Sequence, residues 1–187
     1  MPVSRRSTWR SARLKHVVSR IVSGGTPDSD KEDYWAADGS GVPWVTIADM
    51  TRQRIITETD RRLTSAGIAS KRLTLLPPGT LLYSIYASLG RTAVLGVPAA
   101  TNQAILALVQ RANLVVGGYL RWWLEYKRDS VIQQAATNTQ DNLSAEEVRN
   151  IEVLVPPMAE QIAIVAFLER ETARSRGHLQ GREDGGA

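Results

Sequence analysis

The residues able to do chemistry in this sequence are mostly arginines and side-chain amides, and few catalytic partners accompany them. Its 187 residues include two histidines, His16 and His178, and no cysteine. A Ser–His–Asp triad or a His-based metal site would have to rest on one of those two histidines. The absence of cysteine excludes disulfides, zinc-finger clusters and thiol nucleophiles, and suits a reducing cytoplasm. Gly24-Gly25 is followed by no Walker lysine, so a nucleotide cradle is a poor reading. The double prolines of "LLPPGT" and "LVPPMA" lack the flanking acid or amide and the aromatic of a nucleotide methyltransferase motif. A nuclease pairing of Pro27-Asp28 with Glu125-Tyr126-Lys127 would join a loop to the middle of an aromatic-rich helix. No catalytic residue and no metal ligand is therefore assigned. The chain reads as a binder.

Charge says what it would bind. The net charge is +4, unevenly spread: Arg5, Arg6, Arg10, Arg13, Lys15 and Arg20 precede any acid. Arg52, Arg54, Arg61, Arg62, Lys71, Arg72 and Arg91 face only Glu58 and Asp60 within residues 51–91. Such polarity fits a polyanion, most simply nucleic acid, and composition alone equally allows a solvated mixed surface. Arginine can pair with guanine O6 and N7, and Asn or Gln with adenine N6 and N7. The richest segments hold Arg52, Arg54, Arg61 and Arg62; then Ser84, Tyr86, Ser88 and Arg91; then Asn138, Thr139 and Gln140. Arg91, beside Gly90, heads the set. At Gly25 and Thr26 a backbone N–H and a hydroxyl could meet a phosphate. The same turn reads equally well as a plain helix stop.

Those residues need a frame. Leu14, Val17, Val18 and Ile21 recur at i, i+3, i+4 and i+7, which predicts an amphipathic helix ended by Gly24-Gly25 and Pro27. From Val42 to Leu108 the runs "VPWVTI", "RIIT", "TLLYSIY", "RTAVLG" and "QAILALV" predict short strands, with one helical turn at "TSAGIAS". "SLGRTAV" predicts a hairpin with Gly90 at positive φ. A long helix follows from about Gly117. Tyr119, Trp122, Trp123, Tyr126 and Ile132 give it a bulky side expected to pack in the core, and Tyr34 and Trp35 are read as scaffold. Ser144 and Glu147 match a capping box before a short helix, and "IEVLV" predicts a last strand. A terminal helix is expected from about Ala159 to Arg176, broken at Gly177, with a frayed tail over 177–187. Strands in a run, not alternating with long helices, predict an α+β fold with mixed or antiparallel short strands and packed helices. The basic N-terminus has no apolar stretch behind it and no segment reaches a membrane span, so neither a secretory signal nor a membrane partner is expected.

Three segments carry a resemblance when taken in order: "VVSRIVSGGTPDSDKEDYW…GVPWVTIADM", "LLYSIYASLGRTAVLG…ATNQAILAL" and "NTQDNLSAEEVRNIEVLVPPMAEQIAIVAFLE". Together they resemble the target recognition domain of type I restriction–modification DNA specificity subunits, over about Leu14 to Glu169. The resemblance implies a recognition domain over 1–157 and a spacer or dimerisation helix over 158–176. It implies a non-catalytic subunit that reads half of a bipartite duplex site. Its partners would be DNA methyltransferase subunits, which carry S-adenosylmethionine, and in some systems a restriction–translocase subunit. With one domain and one helix the chain is similar to a half-subunit, expected to pair with a second copy through Ile162, Val165, Phe167 and Leu168. No cofactor is expected on this chain, and the resemblance implies a prokaryotic cytoplasm. A specificity module for an orphan methyltransferase, or a stand-alone DNA-modifying enzyme, are the alternatives.

Overall fold

The computed structural model describes residues 8–136 and 142–183. The chain enters through strand β1 (Arg10–Arg13), a one-turn helix α1 (Leu14–Val17) and strand β2 (Val18–Ser23). A 3-10 turn at Glu32–Tyr34 leads to β3 (Val42–Val45), α2 (Ile47–Arg52), β4 (Ile55–Ile56), β5 (Arg61–Leu63) and α3 (Ser65–Ser70). Then come β6 (Leu81–Ser84), β7 (Thr92–Leu95), β8 (Ala100–Thr101) and β9 (Ile105–Gln110). The long helix α4 (Gly117–Ala136), α5 (Ala145–Arg149), β10 (Glu152–Val155) and α6 (Met158–Glu183) complete it.

The helix expected over Leu14 to Ile21 survives for one turn only. Val17, Val18, Ile21 and Val22 are β-branched, which costs side-chain freedom in a helix and suits a strand. From Val18 the chain pairs antiparallel with β9, Ile21 opposite Leu108 and Ser23 opposite Leu106. Leu14 and Val17 remain fully buried inside the turn, and the Leu14 N–H donates to Ile151 O at 2.8 Å. Gly24-Gly25 therefore ends a strand. It does not end a helix.

Among the described residues three sheets result, ordered β1-β10, β2-β9-β6-β7-β4 and β5-β3-β8. Pairing is antiparallel except for β4 with β7 and β3 with β8, which are parallel. The five-stranded sheet is covered on both faces, which explains why β6 and β9 read as continuous apolar runs. Leu81, Tyr83, Leu106 and Leu108 point to one side, where Tyr119, Leu120 and Leu124 of α4 cover them. Leu82, Ala93, Leu95, Ile105 and Ala107, with Ile56 of β4, point to the other, against Val45, Met50, Leu76 and Ala99. Each fully buried Leu or Ile contributes about 1.5–3 kcal/mol. The expected capping box at Ser144 and Glu147 forms, and a second one, Thr46 with Asp49, starts α2.

The aromatic side of α4 is less buried than expected. Tyr119 is enclosed, but Trp122 and Trp123 are half-buried and Tyr126 is 76% exposed. Leu120, Leu124 and Val131 cover the sheet instead, while the tryptophans turn toward α6. Helix α6 runs on through Gly177 to Glu183, correcting the break expected there. A mid-helix glycine costs only about 1 kcal/mol relative to alanine, less than a break requires. Nor does the helix leave the body at once. Gln161 is fully buried, accepting the Val116 N–H at 2.8 Å and donating to Leu114 O and Pro156 O at 3.0 and 2.9 Å. Ile164 and Val165 pack on the main core, and Gly118 lets Val165 sit close against α4. Ile162 and Phe167 stay exposed. No helix among the described residues is long and apolar enough to cross a membrane.

Candidate nucleic-acid interface

Strands β6 and β7 are joined by residues 85–91, which fold back on the end of β6. Ser84 is buried at the base; its hydroxyl donates to Ser88 O and accepts the Arg91 N–H. The Gly90 N–H donates to Ser84 O at 3.0 Å. Gly90 takes φ 70° as expected, and Ala87 also lies at positive φ, 57°. Alanine is rarely found there, so the loop is held in shape by its surroundings. Tyr86 is exposed on this loop.

Helix α4 supplies the brace. The Arg128 Nε donates to Leu89 O at 2.9 Å, and a Cβ on Gly90 would lie 2.9 Å from Arg128 Cγ. Between loop, α2 and α4 lies a cleft of about 350 Å³ lined by Arg52, Arg54, Arg91 and Arg128 with Met50, Thr51, Thr92 and Glu125. Three arginines expected to bind DNA thus converge in one place. The fourth, Arg128, sits in a segment read from sequence only as a core helix; its signal was a cation one turn beyond Glu125.

Charge in the cleft is unbalanced. Glu125 is held by Arg121 at 2.9 Å and by the Thr92 hydroxyl at 2.7 Å. Arg52 bridges the fully buried Asp49 and the exposed Asp60, each at 2.7 Å, and the bond to Asp60 pushes its pKa further up. Arg54 lies over the Trp122 ring at 5.8 Å. Arg91 Nε is shut off from solvent with no hydrogen-bond acceptor.

Other expected contacts have structural work. The Gly25 N–H donates to Thr101 O at 2.9 Å, Gly25 O accepts from Trp44 Nε1 at 3.0 Å, and the Thr26 hydroxyl bonds Gln103. The turn is a clamp on β8, and these groups are engaged within the protein. Arg61 lies over the Trp35 ring at 3.3 Å. Trp35 meets Trp44 edge-on and donates to Asp28 O, consistent with its reading as scaffold. Arg62 donates to Ser40 O and Gly41 O, both at 2.8 Å. Asn138, Thr139 and Gln140 lie outside the described residues. Among the described residues no group of three or more His, Asp or Glu could hold a metal ion.

The α+β frame thus sets an arginine-lined cleft beside a braced loop. The chain belongs to the type I restriction modification DNA specificity domain family, which it matches over residues 6–176. It is similar to the type I restriction enzyme MjaIX specificity subunit of Methanocaldococcus jannaschii, at 25% identity, over 86% of this chain and 37% of that protein. The EcoR124I/EcoR124II specificity subunit of Escherichia coli is 24% identical over 82% of this chain and 38% of its own. In fold it resembles the HsdS subunit from Thermoanaerobacter tengcongensis (TM-score 0.71, 22% identity, 95% of this chain and 41% of that one). A chain from a structure on complex assembly and conformational transition of the type I R-M system gives TM-score 0.76 at 22% identity, over 98% of this chain and 44% of that one. The chain thus spans about two fifths of the length of these relatives.

Proposed function

We propose that this chain recognises double-stranded DNA as part of the specificity component of a type I restriction–modification complex, reading one half of a bipartite site. The observation that carries the reading is the match across residues 6–176 to a DNA specificity domain. The convergence of Arg52, Arg54 and Arg91 on one cleft supports it. In this reading the chain does no chemistry in the cytoplasm where it works. Methyl transfer and S-adenosylmethionine belong to a methyltransferase subunit, and cleavage to a restriction subunit where one is present. A second copy completes the bipartite reader, joined across the side of α6 that leaves Ile162 and Phe167 exposed.

The test is methylation mapping in the source cell with and without the gene. A single bipartite sequence should lose its methylated base when the gene is removed and regain it on complementation. An unchanged methylation pattern would reject the reading. So would methyl transfer or cleavage by the purified chain alone.

A further inference from the structure

We propose that the cleft between residues 85–91 and α4 is a seat for the sugar–phosphate backbone of DNA, with Arg91 and Arg128 as its ligands and Arg54 at its rim. This rests on the DNA-recognition reading and deepens it: the cleft grips any sequence, and base reading is done elsewhere.

The first argument is charge. Four guanidiniums share about 350 Å³ with one carboxylate, and that carboxylate is already held by Arg121 and Thr92. Asp49 and Asp60 compensate Arg52. Arg54, Arg91 and Arg128 have no carboxylate partner among the described residues. Gathering like charges in a concave site is unfavourable unless an anion joins them. One carboxylate ligand would leave most of that charge unmatched, whereas a run of phosphodiesters supplies one negative charge per nucleotide.

The second argument is hydrogen bonding. The terminal guanidinium nitrogens of Arg91 and Arg128 make no hydrogen bond among the described residues, while the Arg128 Nε is fixed on Leu89 O. Those donors suit the fork geometry by which arginine holds phosphate oxygens. The third argument is rigidity. Arg128 fixes Leu89 O, Ser84 fixes both ends of the loop, and Ala87 is kept at φ 57°. A braced loop places a cation without paying ordering entropy at the moment of binding.

The seat is tested with the full chain and a labelled duplex of arbitrary sequence, by anisotropy across a salt series. Arg91→Ala and Arg128→Ala should each weaken binding about 5–10-fold and make the slope of log K against log salt shallower by about one, for every sequence tried. Arg174→Ala, on the exposed surface of α6, should change neither. Because Arg128 also braces the loop, Arg91→Ala is the cleaner variant: among the described residues its side chain has no hydrogen bond or ion pair to lose. In 15N spectra the Nε–H signals of Arg91 and Arg128 should move on adding duplex. Wild-type binding with unchanged affinity and slope in Arg91→Ala overturns the seat and leaves DNA recognition standing. Signals that move with inorganic phosphate but not with duplex mark a free-anion site and also overturn it. A wild-type chain that binds no duplex overturns both readings.

Discussion

Gly24 shows how much one missing methyl group can decide. A Cβ there would lie 2.1 Å from Asn102 O and 2.3 Å from Thr101 O, backbone atoms with nowhere to go. Gly24→Ala should therefore lose about 1–3 kcal/mol or more in denaturant unfolding. Gly25→Ala, whose closest contact would be the flexible Leu73 Cδ2 at 3.0 Å, should lose less. Equal losses would mean that the clamp on β8 is not what the pair is for. Two tyrosines give a pH signature. Burial raises Tyr119 from 10.0 to about 12, and burial also raises Tyr83, against a smaller opposing effect of the nearby Arg128 charge. A phenol whose folded pKa is raised binds its proton more tightly in the native state. Its contribution is fully present below pH 10 and is lost as pH rises toward 12. Melting temperature should stay level to about pH 9 and then fall. Tyr119→Phe removes the bond from its hydroxyl to Leu154 O at 2.7 Å and should lower stability at neutral pH. Tyr83→Phe removes a buried hydroxyl with no partner, so it should be neutral or stabilising while flattening the alkaline fall. A clear neutral-pH loss in Tyr83→Phe would show that its hydroxyl has a partner in solution.

Helix α6 divides its apolar residues between two duties. Val165 and Leu168 face α4 and its tryptophans, while Ile162 and Phe167 face outward. Val165→Glu should thus destabilise the domain itself, by about 2–4 kcal/mol for an acid pressed into packed apolar surface. Phe167→Glu should leave the melting temperature unchanged and shift a concentration-dependent monomer–dimer equilibrium toward monomer. Sedimentation reads the second outcome, and a wild-type chain that stays monomeric at high concentration rejects the pairing. From sequence all four read as one assembly stripe, because helical periodicity shows that a stripe exists, not how many surfaces share it. The same limit explains the first element. The stripe at Leu14, Val17, Val18 and Ile21 fits a helix, but pairing of Val18–Ser23 with β9, almost ninety residues away, decides for a strand. Where local signals sufficed, sequence was reliable. The runs at β3, β6, β7 and β9, the Ser144 cap and the Gly90 turn all stand where expected. The short β5 and β8 exist only as partners of β3, and nothing local marks them.

At the scale of the whole molecule, Arg52, Arg54, Arg61, Arg62 and Arg91 are divided between two places. Arg61 and Arg62 belong to the three-stranded sheet, around Trp35 and the Ser40–Gly41 carbonyls. Arg54 and Arg91 meet Arg128 at the five-stranded sheet, and the charge of Arg52 is cancelled by two carboxylates. The cluster visible in sequence is therefore not one footprint, because strand pairing carries its members apart. This sets the salt dependence. A duplex touching the whole cluster would neutralise about six phosphates and give a slope near −5; one seated on the cleft and its rim neutralises about three to four, with a slope near −3. The smaller figure is expected, because Arg61 and Arg62 already make scaffold contacts that DNA would have to break. Arg62→Gln should then lower the melting temperature, through loss of its bonds to Ser40 O and Gly41 O, while leaving the slope unchanged. Anisotropy from low to moderate salt measures it. A slope near −5 that becomes shallower in Arg62→Gln would place both groups on the DNA, and a slope near zero would remove the electrostatic footprint altogether.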